Sequence, residues 1–188
     1  AEGGSDISQL HLATLYANGD EGVPQDYKKA LRWFEKAAIQ DNADAQHDLS
    51  AMYLYGYGVT KDMYTAFFWV QKSAENGHPD AQYNLGMMYY FGTGTKTDDK
   101  LAIKWLNKAA MSGVVDAQLQ LGYMYFYREA IGDMPPEDSI TMSYMYYSLA
   151  AQQQNAEAIH HIAEIESYLG EGNLQSVKTA AQGILGRK

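Results

Sequence analysis

The stretch Ala81-Gln82-Tyr83-Asn84-Leu85-Gly86-Met87-Met88-Tyr89-Tyr90-Phe91-Gly92-Thr93-Gly94 reads as one helix and a sharp stop. Ala81, Leu85 and Tyr89 are spaced i, i+4 and i+8, which puts them on one face of a helix. Gly86, beside Leu85, has no side chain and lets a neighbouring helix approach closely. Gly92 and Gly94 break the helix, because glycine supplies the φ > 0 that a helix C-cap and tight turn require. Asp98 is placed to N-cap a second helix. Its buried stripe is Ala102, Leu106 and Ala109, and Gly113 ends it.

This frame repeats. Ala45-Gln46, Ala81-Gln82 and Ala117-Gln118 stand 36 residues apart, and so do Trp33, Trp69 and Trp105. Ala30, Ala66 and Ala102 keep the interval, as do Ala38, Ala74 and Ala110, and Asp26, Asp62 and Asp98. Gly56 and Gly58 repeat the turn, and Gly77 repeats the second stop. The units run over about 5–41, 42–78, 79–114 and 115–155. The first has one extra residue in its turn at Gly19–Gly22. The fourth keeps Leu121-Gly122 and Tyr125 but lacks the Gly-x-Gly turn. It carries about five extra residues within Arg128–Asp138, including Pro135-Pro136. One helical hairpin cannot bury its apolar face alone, whereas stacked hairpins bury a continuous core. The expected fold is therefore an all-α solenoid of antiparallel helix pairs. Residues 156–188 are expected to cap it with two helices, Ala156–Tyr168 and Leu174–Leu185, split by Gly170-Glu171-Gly172-Asn173. Ile159, Ile162, Ile165 and Leu169 would turn inward.

Composition excludes several classes. Of 188 residues, 46% are hydrophobic and 20% charged, which is globular rather than disordered. Lys and Arg number 14 against 23 Asp and Glu, a net charge of −9. That balance argues against binding a phosphate backbone, so no nucleic-acid partner is expected. No apolar run approaches the roughly 18 residues of a membrane helix. With no cysteine, disulfides, thiolate metal sites and a thiol nucleophile are excluded. A thiol-free chain suits an oxidising compartment and is equally tolerable in a cytosol. The sequence opens at Ala1 without Met or a basic, apolar leader, as after signal-peptide removal or trimming of a longer chain. A periplasmic or secreted setting is favoured over the cytoplasm.

The pattern Ala-x-x-x-Leu-Gly-x-x-Tyr-x-x-Gly-x-Gly, followed by Asp, Ala, Trp and Ala-Ala, resembles the Sel-like repeat, a 36-residue relative of the tetratricopeptide repeat. The resemblance covers roughly residues 5–155. It implies a right-handed superhelix and an adaptor that assembles other proteins, often in bacterial envelopes or at host contacts. One branch of the family is stapled by disulfides, and this cysteine-free chain departs from it. The resemblance also implies that one face of each first helix lines a concave groove. By alignment that face is His47, Ala51, Leu54 and Tyr55 in the second unit. It is Tyr83, Met87, Tyr90 and Phe91 in the third, and Leu119, Tyr123, Phe126 and Tyr127 in the fourth. The first unit offers only Leu10, Thr14, Ala17 and Asn18.

Two readings of that face stand. Its residues either fill a tightly wound superhelix or bind a protein or peptide. Tyr, Met and Phe are the types enriched at interfaces. Asp44, Asp80 and Asp116 would edge the groove with negative charge, or serve as plain helix-start carboxylates. The periodic Trp33, Trp69, Trp105, Tyr53, Tyr89 and Tyr125 are expected in the packing between helices.

Catalysis has little support. There is no Gly-x-Ser-x-Gly, Ser-x-x-Lys, Walker A or His-Glu-x-x-His. Gly92-Thr-Gly94-Thr-Lys96 resembles a phosphate loop only faintly, and its glycine pair recurs with the repeat, which is turn chemistry. Glu157, His160, His161 and Glu164 are spaced i, i+3 and i+4. A di-metal bundle site would need a second Glu-x-x-His, and none occurs, so exposed helix pairs account for the cluster. A non-catalytic adaptor without cofactor or metal is the expectation, and a hydrolase or cell-wall-active enzyme using His160-His161 is the rival. The chain is expected to be a monomer, with self-association through residues 5–40 as a third possibility.

Overall fold

The computed structural model describes residues 4–19, 22–127 and 134–186, and among them every regular element is a helix. Two compact units divide the chain at Asp98/Asp99. Unit 1 holds α1 (Asp6–Asn18), α2 (Tyr27–Ala38), α3 (Ala43–Tyr55), α4 (Met63–Glu75) and α5 (Pro79–Phe91). Unit 2 holds α6 (Asp99–Met111), α7 (Val115–Phe126), α8 (Pro136–Gln152) and α9 (Ala156–Leu185). The family-type helix pairs are α1–α2, α3–α4 and α7–α8, each in close contact. The inserted residues of the fourth repeat, 128–133, lie outside the described residues.

The turns form as the glycine pattern predicts. Gly19, Gly56 and Gly92 end α1, α3 and α5 in left-handed conformation, and Gly22, Gly58 and Gly94 also have positive φ. Asp26 caps α2 through Lys29 N–H, and Asp62 caps α4 through the N–H groups of Tyr64 and Thr65. The backbone N–H groups of Asp26, Asp62 and Asp98 donate to Tyr16 O, Tyr53 O and Tyr89 O at 2.8–3.0 Å. One bond per repeat thus ties the start of the second helix to the first.

The second turn glycine has a further reason to be glycine. A Cβ on Gly58 would lie 2.6 Å from the Tyr27 carbonyl, and one on Gly94 would lie 2.1 Å from Met63 O. Each such glycine is pressed against the start of the previous repeat's second helix.

Small side chains let the helices close on one another. One core cluster of unit 1 is Ala13, Ala30, Phe34, Ala37, Ala38, Ala45, Leu49 and Met52, with Trp33 and Trp69 packed against it, and Ala66, Val70, Ala74, Ala81 and Leu85 are buried beyond it. Its polar component is periodic too. The buried amides of Gln46 and Gln82 donate to the carbonyls of Ala38 and Ala74, and in unit 2 Gln118 donates to Ala110 O. A second amide closes the link: Asn76 Nδ2 donates to Gln46 Oε1, and Gln153 Nε2 to Gln118 Oε1. In the first repeat Gln40 donates to Gln9 Oε1.

Unit 2 ends on two helical stretches that break at Gly170, inside the expected split. The loop at 170–173 contracts to a kink at Gly170 (φ 67, ψ 165) within α9. Ile165 is fully buried, and Ile162 and Leu169 pack on the core of Tyr147, Ala150 and Ala158. Ile159 corrects the inward assignment, being 53% exposed. It stands one residue after Ala158, where Gln46 follows Ala45, but Gln46 is buried through its amide bonds to Ala38 O and from Asn76, and an isoleucine makes no such bonds.

Candidate functional site

The first-helix face of unit 1 opens as a cleft of about 510 Å³ between α3 and α5, floored by α4. From the expected face it gathers His47, Ala51, Leu54, Tyr55, Met87 and Phe91. Ser50, Asn84, Met88 and, from α4, Ala66 and Val70 complete the walls, with Lys61 and Thr93 from the turns. The mouth is aromatic, since Tyr55 is 55% and Phe91 67% exposed. Tyr83 and Tyr90 are half-buried and are not among its lining residues. Tyr90 instead packs edge-on against Phe91, with ring centroids 5.0 Å apart.

The polar end of the cleft holds a pair of stacked imidazoles, His47 and His78, 4.5 Å apart and 13° from parallel. Sequence reasoning did not single out His78. It is the N-cap of α5, where Nδ1 accepts from Ala81 N–H at 3.2 Å. Asn84 Nδ2 donates to His47 Nε2 at 3.0 Å. His78 thus uses the Nδ1 lone pair as an acceptor, so that nitrogen carries no proton in this arrangement. Asp44 lies 3.6 Å from His78, and Asp48 lies 3.7 Å from His47. Burial holds the His78 pKa below the ordinary histidine value, and the charge of His47 adds to that; Asp44, Asp80 and Asp48 pull the other way. The signal for this pair was present, since His78 occupies the cap position that Asn42 and Asn155 hold in other repeats.

The fourth-repeat residues form a separate cluster in unit 2. Tyr123 and Tyr127 are 4.5 Å apart, and Phe126 meets Tyr127 at 5.0 Å. Tyr123 and Tyr127 are exposed, while Phe126 packs on the core. Asp80 and Asp116 are exposed in the first turns of α5 and α7.

The histidine pair of α9 is arranged as helix-surface chemistry. His160 is exposed and 3.5 Å from Glu164. His161 is 2.8 Å from Glu164 and 3.9 Å from Glu157, and its ring stacks on Tyr147 at 4.7 Å. Among the described residues no group of three or more His, Asp or Glu is disposed to hold a metal ion. No described helix is long and apolar enough to cross a membrane.

The Sel1 repeat profile matches residues 6–42, 43–78, 79–114 and 115–155. The chain belongs to the Sel1 repeat family. Sel1 repeats typically mediate protein–protein interaction and are generally non-catalytic. Among solved structures, a protective antigen of uropathogenic Escherichia coli with the same fold is 35% identical, with a TM-score of 0.76. The match covers 84% of this chain and 32% of that one. A Sel1 repeat protein from Oxalobacter formigenes is 34% identical with a TM-score of 0.77, over 88% of this chain and 46% of that one. This Sel1 chain thus spans under half the length of both. The Helicobacter pylori cysteine rich protein B, at 21% identity and a TM-score of 0.50 over 62% of this chain and 97% of that one, shares the fold alone. No curated protein matches.

Proposed function

We propose that this Sel1 repeat chain is a non-catalytic scaffold that binds a protein or peptide on the first-helix faces of its repeats, with the unit 1 cleft as the principal site. The observation that carries this reading is the cleft itself. Two exposed aromatic rings, Tyr55 and Phe91, stand over apolar walls that a folded monomer would otherwise cover. Asp44, Asp48 and Asp80 beside it favour a basic or amine-bearing partner, whose association slows as salt rises. Tyr83, Met87 and Tyr90 of α5, and Tyr123, Phe126 and Tyr127 with Asp116 in unit 2, extend the reading as secondary contacts. A bacterial envelope or host-contact setting belongs to the same reading, supported by the likeness to the E. coli antigen.

The test starts from affinity capture with the full chain and identification of what it retains. Calorimetric titration of that partner then compares Tyr55→Ala and Phe91→Ala with the parent. Buried aromatic anchors each contribute on the order of 2 kcal/mol, so each variant should bind roughly 30-fold more weakly with unchanged helix content. Unchanged affinity in both would move the site off the cleft.

A further inference from the structure

Unit 2 carries a second copy of the unit 1 cleft, and that copy is filled. The correspondence is fixed by hydrogen bonds. Gln153 serves Gln118 as Asn76 serves Gln46, and Asn155 caps α9 as His78 caps α5. Both pairs stand 77 residues apart. On that register Asn84 of the cleft wall becomes His161, and Val70 of its floor becomes Tyr147. On the first helix Ser50 becomes Gly122. Val70 and Tyr147 are each 1% exposed, yet they leave opposite results. The Tyr147 ring lies across the space in unit 2. It stacks on His161, and a Cβ on Gly122 would come within 2.6 Å of it. Its hydroxyl has no hydrogen-bond partner among the described atoms, so burial of the ring is what holds it there. The shorter Val70 leaves the same space open.

We infer that the unit 1 cleft receives an aromatic side chain of the partner, laid over Val70 between α3 and α5 where unit 2 places the ring of Tyr147. The inference rests on the cleft reading above and adds the chemical class of the group that enters. The walls suit a ring. Met87 and Met88 offer polarisable sulfur, and Phe91 stands at the mouth for an edge-to-face contact. The flank suits a cation. Asp44 and Asp48 on α3 and Asp80 on α5 surround the imidazole stack at one end, whereas Lys61 is the cation in the lining. The partner's ring is therefore accompanied by a basic group at the His47 end.

The experiment labels the methionine methyl groups of the full chain with carbon-13 and follows Met87 and Met88, with buried Met145 of unit 2 as the internal control. Three probes are titrated: p-cresol (the ring alone), tyramine (the ring with an ammonium group) and isopentylamine (a branched aliphatic amine). Tyramine and p-cresol should shift Met87 and Met88 but not Met145, with tyramine the tighter at low salt. Isopentylamine should be about tenfold weaker. Val70→Tyr combined with Ser50→Gly, which together copy unit 2 and give the ring the room that Gly122 gives Tyr147, should abolish the shifts while cooperative melting is kept. If that variant does not fold, Ala51→Tyr, which copies Tyr123 at the rim, takes its place.

Isopentylamine matching tyramine, with the blocking variant still effective, would overturn the aromatic assignment and leave the cleft reading standing. Silence of Met87 and Met88 toward all probes at roughly 10 mM, beyond the millimolar affinity expected of such small ligands, would remove both. Shifts that persist in the blocked variant would overturn the assignment of the site to Val70. Equal binding of p-cresol and tyramine at low salt would overturn the cationic flank.

Discussion

At the scale of single residues, the turn glycines separate two costs that are usually mixed. Gly22, Gly58 and Gly94 share one position in the repeat and have φ of 79°, 70° and 68°. All three would strain an alanine, by roughly 1–2 kcal/mol for the left-handed backbone. Their surroundings differ. Among the described residues nothing lies within 4 Å of a Cβ on Gly22, whereas on Gly58 and Gly94 it would collide with backbone of the preceding repeat. Backbone cannot swing away as a flexible side chain can, so those sites add an overpacking cost of about 1–3 kcal/mol. Gly22→Ala should therefore destabilise least, and Gly58→Ala and Gly94→Ala markedly more, by urea unfolding at equal m-value. Equal losses at all three would mean that the close approach contributes nothing and only the dihedral matters.

At the scale of elements, α5 begins on a titratable cap. His78 must keep Nδ1 unprotonated to accept from Ala81 N–H, and burial first, then the neighbouring His47, penalises a charge on it. Its folded pKa is held below that of the unfolded chain, about 6.5, so below that pH the unfolded state binds more protons. Stability is thus fullest at neutral pH and is lost as pH falls from about 6.5 toward the folded pKa. Asp44, Asp48 and Asp80 reduce the loss without reversing it. His78→Asn keeps a capping oxygen, as Asn42 and Asn155 do, and removes the proton. Its melting temperature at pH 7 should match the parent and should fall less on going to pH 5.5. A parent and variant with the same acid dependence would show that the cap does not titrate in this range. How far such elements were legible follows from their spacing. Glycines and caps at a strict 36-residue period gave α2 to α6 directly. The Ala-Gln mark served as a register sign, but its role as a buried amide link needs the partner helix and was not readable. The insertion before α8 broke the period, so Tyr147 was never aligned with Val70, and the groove was expected evenly over three repeats instead of open in one unit and filled in the other. Ile159 falls at the position that the glutamine amides occupy, and with no amide to bond there it lies outside the inward stripe of Ile162, Ile165 and Leu169.

At the scale of the whole molecule, each repeat is stabilised by its neighbour, so the last helix has the largest lever on unit 2. α9 supplies Ala158 and Ile165, both fully buried, and lays Ile162, Leu169 and the ring of His161 over the α7–α8 pair. Removing it strips these groups and uncovers Tyr147 and Ala150, which are now 1% and 0% exposed. A fully buried Ile contributes about 1.5–3 kcal/mol, so Ile165 with the partly buried Ile162 and Leu169 amounts to roughly 3–6 kcal/mol. That is comparable to the whole stability of a small domain. A chain ending at Gln154 should therefore lose the cooperative melting of unit 2 and aggregate through its exposed apolar face, as read by circular dichroism and sedimentation. Unit 1 has its own core, so the Met87 and Met88 methyl resonances should keep their positions in the soluble fraction. A milder variant, Ile165→Asp, buries a charge in the same core and should produce the same selective loss without changing chain length. A truncated chain that stays monomeric with unchanged melting would show that α9 stabilises nothing. Loss of the Met87 and Met88 positions would show instead that the two units fold as one.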